Sequence, residues 1–299
     1  MKRLFLIGGS GFIGKNIVEN LYRDYDIVVF DRFIDKEYFE QYTMVEKYEI
    51  NLIEDSIDKN IEPPDYIINL ASIVTADRDL DLFDDMISTN LKILMNLYKR
   101  FKDCKTLKLF IQFGTSEEYG CVPSPYKENM REYPDSPYAL VKQLTVNTAL
   151  MLYRNYSFPT MVVRPGNLFG KYQNINKFIP YVISSLKANK ELNVTPCEQK
   201  RDFIYADDFV YCISKILENY NNVKGEILNV SSGESISLKE IIETLKTELN
   251  SCSKINYGAV PYRENEAMDL KCSIEKFETL TSCSVNFDTK QRLKDLAKQ

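Results

Sequence analysis

Residues 8–14 read GGSGFIG and stand at a junction, after the short β-rich run Arg3–Ile7 and before a helical pattern over Gly11–Tyr22. This cluster constrains the fold more than any other feature, because a strand that turns sharply into a helix needs residues without Cβ at the turn. The alternation then continues. Ile27–Phe30, Tyr66–Leu70 and Lys108–Phe113 read as buried strands, and Asp84–Phe101 reads as a helix between them. Met161–Arg164 reads as a further strand, ended by Pro165 and Gly166. Strands alternating with helices in this way predict an α/β fold built on a doubly wound parallel sheet.

In that context the glycine cluster is a phosphate loop. Gly8 or Gly9 permits the turn, Gly11 lets backbone amides approach a pyrophosphate, and Gly14 lets the helix pack closely on the sheet. The positive end of the helix dipole faces the same place. Asp31 closes the second strand, where an acid accepts hydrogen bonds from the ribose hydroxyls of a dinucleotide and repels a 2′-phosphate. The expected cofactor is therefore NAD(H). Arg32, next in the chain, keeps NADP(H) open as an alternative, since its charge offsets that repulsion.

Beyond residue 166 the pattern is less regular. Loops rich in Asn, Lys and Pro lead to a helix near Lys177–Ala188, a charged segment Lys200–Asp208, a helix Phe209–Asn219 and a strand Glu226–Val230. We read a Rossmann-type domain over 1–166 and a smaller C-terminal substrate domain over 167–299, with the strand at 226–230 returning to the main sheet. No linker, repeat or low-complexity tract interrupts the sequence.

A chain of 299 residues with 44% hydrophobic content buries a full core. Its net charge of -5 gives no basic footprint for nucleic acid or an anionic membrane. The opening apolar run is too short for a signal-peptide core or a membrane span. Seven cysteines without a Cys-x-x-Cys pair argue against a disulfide framework and a zinc site, which together predict a reducing cytoplasm. No metal is expected: the acidic run DRDLDLFDD at 77–85 lacks the glycine and terminal glutamate of a calcium loop.

The chain has no histidine, so Ser-His-Asp and Cys-His triads are excluded and Tyr, Lys and carboxylates remain as acids and bases. Ser136 and Pro137 mark a helix start, as N-cap and first helical residue. Tyr138 and Lys142, four residues apart, then share one helix face, where an ammonium favours the phenolate. That pairing points to hydride chemistry with a tyrosine as the proton carrier.

GGSGFIG, Asp31, NLAS at 69–72, Asn90, GTSEEYG at 114–120, SPYALVK at 136–142, RPGNLFG at 164–170, RDFIYADD at 201–208 and PYRENE at 261–266 follow one another along the chain. In that order they resemble the extended short-chain dehydrogenase/reductase family, in the branch acting on nucleotide-diphosphate sugars. The resemblance spans nearly the whole sequence. It implies that Thr115, Tyr138 and Lys142 are catalytic, with Tyr138 exchanging a proton with the sugar oxygen, Thr115 bonding that oxygen and Lys142 binding the nicotinamide ribose. It also implies cofactor contacts from Gly8, Gly11, Phe12, Ile13, Gly14, Asp31, Arg32, Asn51, Leu52, Leu70, Ala71, Ser72 and Asn90, beside Tyr138 and Lys142. Ser116, Asn167, Arg201 and Arg263 are implied on the substrate side, the two arginines holding its phosphates. Relatives commonly pair as homodimers through two helices of the main domain.

Three reactions share this machinery: 4-ketoreduction, 4-epimerisation and 4,6-dehydration. Dehydratases of thymidine or uridine sugars carry Asp-Glu after the threonine, and this chain has Ser116-Glu117. Thr-Ser-Glu is nevertheless similar to the GDP-mannose 4,6-dehydratases, where the glutamate is the base, so Glu117 is a catalytic candidate. The SEEYG segment is similar to GDP-4-keto-6-deoxy-sugar reductases, and the stretch from Lys177 through Asp208 to Asn265 is similar to CDP-abequose and paratose synthases. The expected reaction is therefore reduction of a 4-keto-6-deoxy sugar. The alternatives are a 4-epimerase with tightly held NAD, then a 4,6-dehydratase, and outside catalysis a dinucleotide-binding regulator.

Overall fold

The computed structural model describes residues 1–74, 80–263 and 266–299. Part of the acidic run at 77–85, and Glu264 and Asn265 of PYRENE, lie outside the described residues. The strands are β1 (Lys2–Ile7), β2 (Tyr25–Asp31), β3 (Glu46–Glu49), β4 (Tyr66–Asn69), β5 (Leu109–Phe113), β6 (Thr160–Pro165), β7 (Asn167–Phe169), β8 (Leu192–Val194), β9 (Lys200–Tyr205), β10 (Ile227–Val230), β11 (Ser235–Ser237), β12 (Ile255–Tyr257) and β13 (Asp269–Leu270).

Seven of them form one sheet in the order β10-β6-β5-β4-β1-β2-β3. Every pairing in it is parallel. The central strands are apolar on both faces because both are covered. Leu4 and Leu6 pack with Ile17 and Val18 of the helix Phe12–Leu21 and with Ile213 of the helix Ala206–Glu218. Phe5 and Ile7 belong to the opposite layer, with Leu94 and Leu97 of the helix Ile93–Phe101 and Val146 of the helix Pro137–Tyr156. This is the doubly wound Rossmann-type sheet.

The seventh strand comes from late in the chain: β10 pairs with β6, Ile227 opposite Val162. Between and beyond lie smaller sheets, β11-β9-β13 with β7 on β9, and β12-β8. Their apolar side chains, among them Phe169, Leu192 and Phe203, form a separate core cluster with Ile242 of the helix Leu238–Glu248.

One reading needs correction, and one strand carries no reading at all. The helix expected over Asp84–Phe101 is not uniform: a short turn Leu80–Leu82 and an α-helical turn Phe83–Ile87 lead into a wider, π-type turn Ser88–Lys92 before the helix Ile93–Phe101. Wide turns of this kind insert one residue and shift the apolar period by a single position, a step too small to stand out in a pattern this short. The strand β3 carries no sequence signal because it is an edge strand, EKYE, whose charges guard an unpaired edge instead of filling a core. Among the described residues, no helix is long and apolar enough to cross a membrane.

Candidate active site

In the sheet order, β1 sits between β2 and β4, and chain progression reverses there. Loops leaving the carboxyl ends of strands that flank such a point open a crevice. The loop after β1 is the glycine cluster, and the loop after β4 is Leu70–Ser72. They touch. Gly8 adopts φ +77, and a Cβ on it would stand 2.9 Å from the Ala71 amide nitrogen. Gly14 is needed for a different contact than expected, since its Cβ would overlap the backbone of Gly9. It brings the helix onto the turn, not onto the sheet.

The crevice fits a dinucleotide. The helix Phe12–Leu21 begins with Gly11 as N-cap and no side-chain cap hydrogen bond, so the amides of its first turn, Phe12 and Ile13 among them, are left for an anion. Asp31, at the end of β2, faces the same loop: its Oδ2 accepts from the Ser10 amide at 3.0 Å and its Oδ1 from Phe33 at 3.3 Å. Arg32 is exposed. Leu70 and Ala71 are half-buried at the rim, and Leu70 is held by the Ile7 carbonyl at 2.8 Å. Ser72 donates to Ile73 at 3.5 Å. Asn51 caps its own turn, accepting from the Ile53 amide at 3.3 Å. The Leu52 side chain lies in the core layer, so a cofactor meets its backbone at most. Asn90 is buried in the wide turn, donating to Met86 at 2.9 Å while its Oδ1 is buried without a partner.

Thr115, Tyr138 and Lys142 come together at the carboxyl end of β5. Ser136 caps the helix Pro137–Tyr156, accepting from the Ala139 amide at 3.2 Å, with Pro137 at its first position, as the sequence predicts. Tyr138 and Lys142 are both buried. Lys142 donates to the Phe113 carbonyl at 3.1 Å, and its Nζ lies 5.9 Å from the Tyr138 ring centre. Burial lowers the lysine to about 8, against which the charge of Glu118 works. The phenol goes the other way: burial and then Glu117 raise its pKa, while the Thr115 hydroxyl beside it pulls it down. The expected depression by Lys142 is therefore not produced by the protein alone, because that ammonium is spent on a carbonyl and sits over the ring. Burial thus favours the neutral phenol at Tyr138.

Thr115 opens a short turn, Ser116–Tyr119, its Oγ1 accepting from the Glu117 amide at 3.3 Å. Ser116 is half-buried and Glu117 exposed, whereas the next residue, Glu118, is fully buried and accepts from the Thr115 amide at 2.7 Å. Glu118 was not singled out by sequence. The signal was present, since Thr115 to Glu118 spell the S/T-x-x-E capping box.

The substrate-side residues gather on the small sheets. Arg201 lies on β9, and Asn167 starts β7 opposite Phe203. Arg201 donates to the Ala267 carbonyl at 2.7 Å and is ion-paired with Glu266. The Glu266 amide donates to the Arg263 carbonyl at 3.2 Å, so Arg263 is tied through the backbone to the residue that pairs Arg201. Arg263 is exposed. Burial weakens the hold of Arg201 on its proton, and Glu266 offsets only part of that loss. Among the described residues, no group of three or more His, Cys, Asp or Glu could hold a metal ion.

The model of the NAD dependent epimerase/dehydratase family matches residues 4–231. The chain belongs to that family. Within it, the sequence is 29% identical over 298 residues to a CDP-abequose synthase of Salmonella muenchen, covering 99% of this chain and 97% of the relative. It is 27% identical over 274 residues to a dTDP-glucose 4,6-dehydratase of Escherichia coli, covering 81% and 75%. In fold it is similar to the UDP-glucuronic acid 4-epimerase of Bacillus cereus, solved with UDP-glucuronic acid and NAD, at a TM-score of 0.90, 23% identity and 99% coverage of both chains. Enzymes of this family act on nucleotide sugars with NAD.

Proposed function

We propose that this protein is a 4-ketoreductase of a nucleotide-diphosphate 4-keto-6-deoxy sugar. The observation that carries the reading is the state of Tyr138: a phenol buried beside Glu117 and raised in pKa holds the proton that ketone reduction consumes. A bound NADH or NADPH supplies hydride to C4. Tyr138 donates its proton to the oxygen at C4, Thr115 bonds that oxygen, and Lys142 holds the cofactor ribose from the Phe113 strand end. Asp31 and the open first turn of the helix Phe12–Leu21 hold the dinucleotide, and Arg201, Arg263 and Asn167 hold the diphosphate, with phosphate displacing Glu266 from Arg201.

Two further points support reduction over elimination. Ser116 has no carboxyl to protonate a departing C6 hydroxyl. The full-length likeness to a CDP-abequose synthase extends through the substrate-side segments. A second reading, 4-epimerisation, draws on Asp31, whose carboxylate suits NAD kept between turnovers. Homodimer formation is also proposed, through the helix Pro137–Tyr156, where Leu140 and Leu144 are exposed. Purified protein given NADH and a 4-keto-6-deoxy nucleotide sugar tests the main reading: reduction predicts loss of one NADH per sugar. Interconversion of 4-hydroxy epimers with no NADH consumed would replace it by the second.

A further inference from the structure

The two glutamates after Ser116 are sent opposite ways by the fold. Glu117 is exposed, and Glu118 has no accessible surface. A carboxylate is costly to bury unless it is paired and hydrogen-bonded. Both oxygens of Glu118 are satisfied. Oε1 accepts from the Thr115 amide at 2.7 Å, while Oε2 takes Nε of Arg164 at 2.9 Å and its terminal nitrogen at 2.7 Å. Burial raises the pKa of Glu118, and Arg164, the Thr115 amide and Lys142 oppose the rise; each oxygen accepts from a donor that cannot be reversed, and this geometry fits the carboxylate form.

The pair also sits where the chemistry is. A Cβ on Gly114 would overlap Oε1 of Glu118, so this side chain lies against the strand end Phe113–Gly114–Thr115. Phe113 offers its carbonyl to Lys142, and Thr115 stands beside Tyr138. Arg164, itself fully buried, is shared with Glu132 at 2.6 Å and lies 4.7 Å over the Tyr119 ring. One arginine and two glutamates leave one negative charge uncompensated. The cluster becomes neutral when Lys142 is an ammonium. The bond to Thr115 closes the capping box of the turn Ser116–Tyr119, and so the same carboxylate that pairs Arg164 also fixes the residue beside Tyr138.

We propose that Glu118 is a positioning residue of the reaction centre, fixing Thr115 through its backbone amide and supplying the negative charge that keeps buried Lys142 protonated. Lys142 falls to about 8 on burial, and Glu118 is the charge that opposes the fall. The other charged or titratable groups at the centre are Tyr138 on the same helix, Glu117 facing it, and Arg164 with Glu132 and Tyr119 behind Glu118.

The proposal rests on the reduction assigned to this site for its kinetic arm alone. The direct test follows the Nζ signal of Lys142 by nitrogen-15 lysine NMR against pH, assigned by its loss in Lys142→Met. Glu118→Gln keeps an acceptor for the Thr115 amide and removes the charge. The Lys142 midpoint is expected to fall by about one pH unit. The alkaline limb of kcat/KM should move with it, with kcat down roughly tenfold or more and KM for the sugar within about threefold. If Glu118→Gln does not fold, Glu118→Met with Arg164→Met replaces both partners by apolar side chains of similar reach; it removes one charge of each sign, so a smaller fall of the Lys142 midpoint is expected, Glu118 being the charge that acts on Lys142. A folded variant with an unchanged Lys142 midpoint overturns the proposal. A wild-type protein that reduces no 4-keto sugar, with the midpoint shift present, overturns the reduction reading and supports the role of Glu118.

Discussion

Two glycines of one loop should fail in different ways when given the same methyl group. Gly11 caps its helix at φ -75 and ψ 177, a backbone any residue adopts, and its Cβ would meet the Gly8 carbonyl oxygen at 3.4 Å, an ordinary contact. Gly11→Ala therefore costs the protein little. Alanine is the poorer cap by about 0.5–1 kcal/mol, and it recovers about 0.4–1 kcal/mol from the less flexible unfolded chain. The melting temperature should stay within about 3 °C. The dinucleotide should suffer, because the methyl group enters the space through which first-turn amides reach a pyrophosphate. A hydrogen bond to a charged group contributes about 1.5–3 kcal/mol, so losing one weakens NADH binding by roughly 10- to 100-fold. Gly14→Ala inverts the pattern. Its Cβ overlaps the Gly9 backbone, and overpacking of about 1–3 kcal/mol outweighs a helix-propensity gain of about 1 kcal/mol. Thermal melts and calorimetric NADH titrations of both variants check this. A Gly11→Ala protein that binds NADH as tightly as wild type would refute the reasoning.

Tyr138→Phe keeps the buried ring and removes the proton carrier, so kcat should fall by about 10²–10⁴ while NADH affinity and melting temperature hold; stopped-flow absorbance of NADH measures it. Lys142 is charged below its pKa of about 8 and neutral above it, so kcat/KM should decline as pH rises through 8, about tenfold per unit, in a profile taken from pH 6 to 10. Arg201→Ala and Arg263→Ala should each raise KM for the nucleotide sugar by roughly 10- to 100-fold with a smaller effect on kcat, read from initial rates. In Glu266→Gln, Arg201 is released from its ion pair, and KM should fall instead.

The central sheet was legible because its strands are buried on both faces and its first turn demands glycine. Edge strand β3 was not, since a charged edge reads like a loop. The wide turn at Ser88–Lys92 was hidden because one inserted residue shifts the apolar pattern by a single position only. In the site, Tyr138 and Lys142 were readable from spacing and from the Ser136-Pro137 cap. Glu118 was not, although its capping-box pattern was in view: two adjacent glutamates carry no mark of which is buried, and only the packing of Gly114 and Arg164 decides it. The pKa of Tyr138 was likewise out of reach, because spacing shows that an ammonium is near but not that it is bound to the Phe113 carbonyl.

The central claim is reduction at C4 with Tyr138 as the donor of the proton. Its most direct test is to strip the purified protein of cofactor and incubate it with NADH or NADPH and the 4-keto-6-deoxy sugars of CDP, GDP, UDP and dTDP, using C4-deuterated cofactor. The account predicts one cofactor oxidised per sugar and deuterium at C4 of a 4-hydroxy product. Tightly retained NAD, no net oxidation, and either epimerisation at C4 or elimination across C5 and C6 of the parent sugar would contradict it.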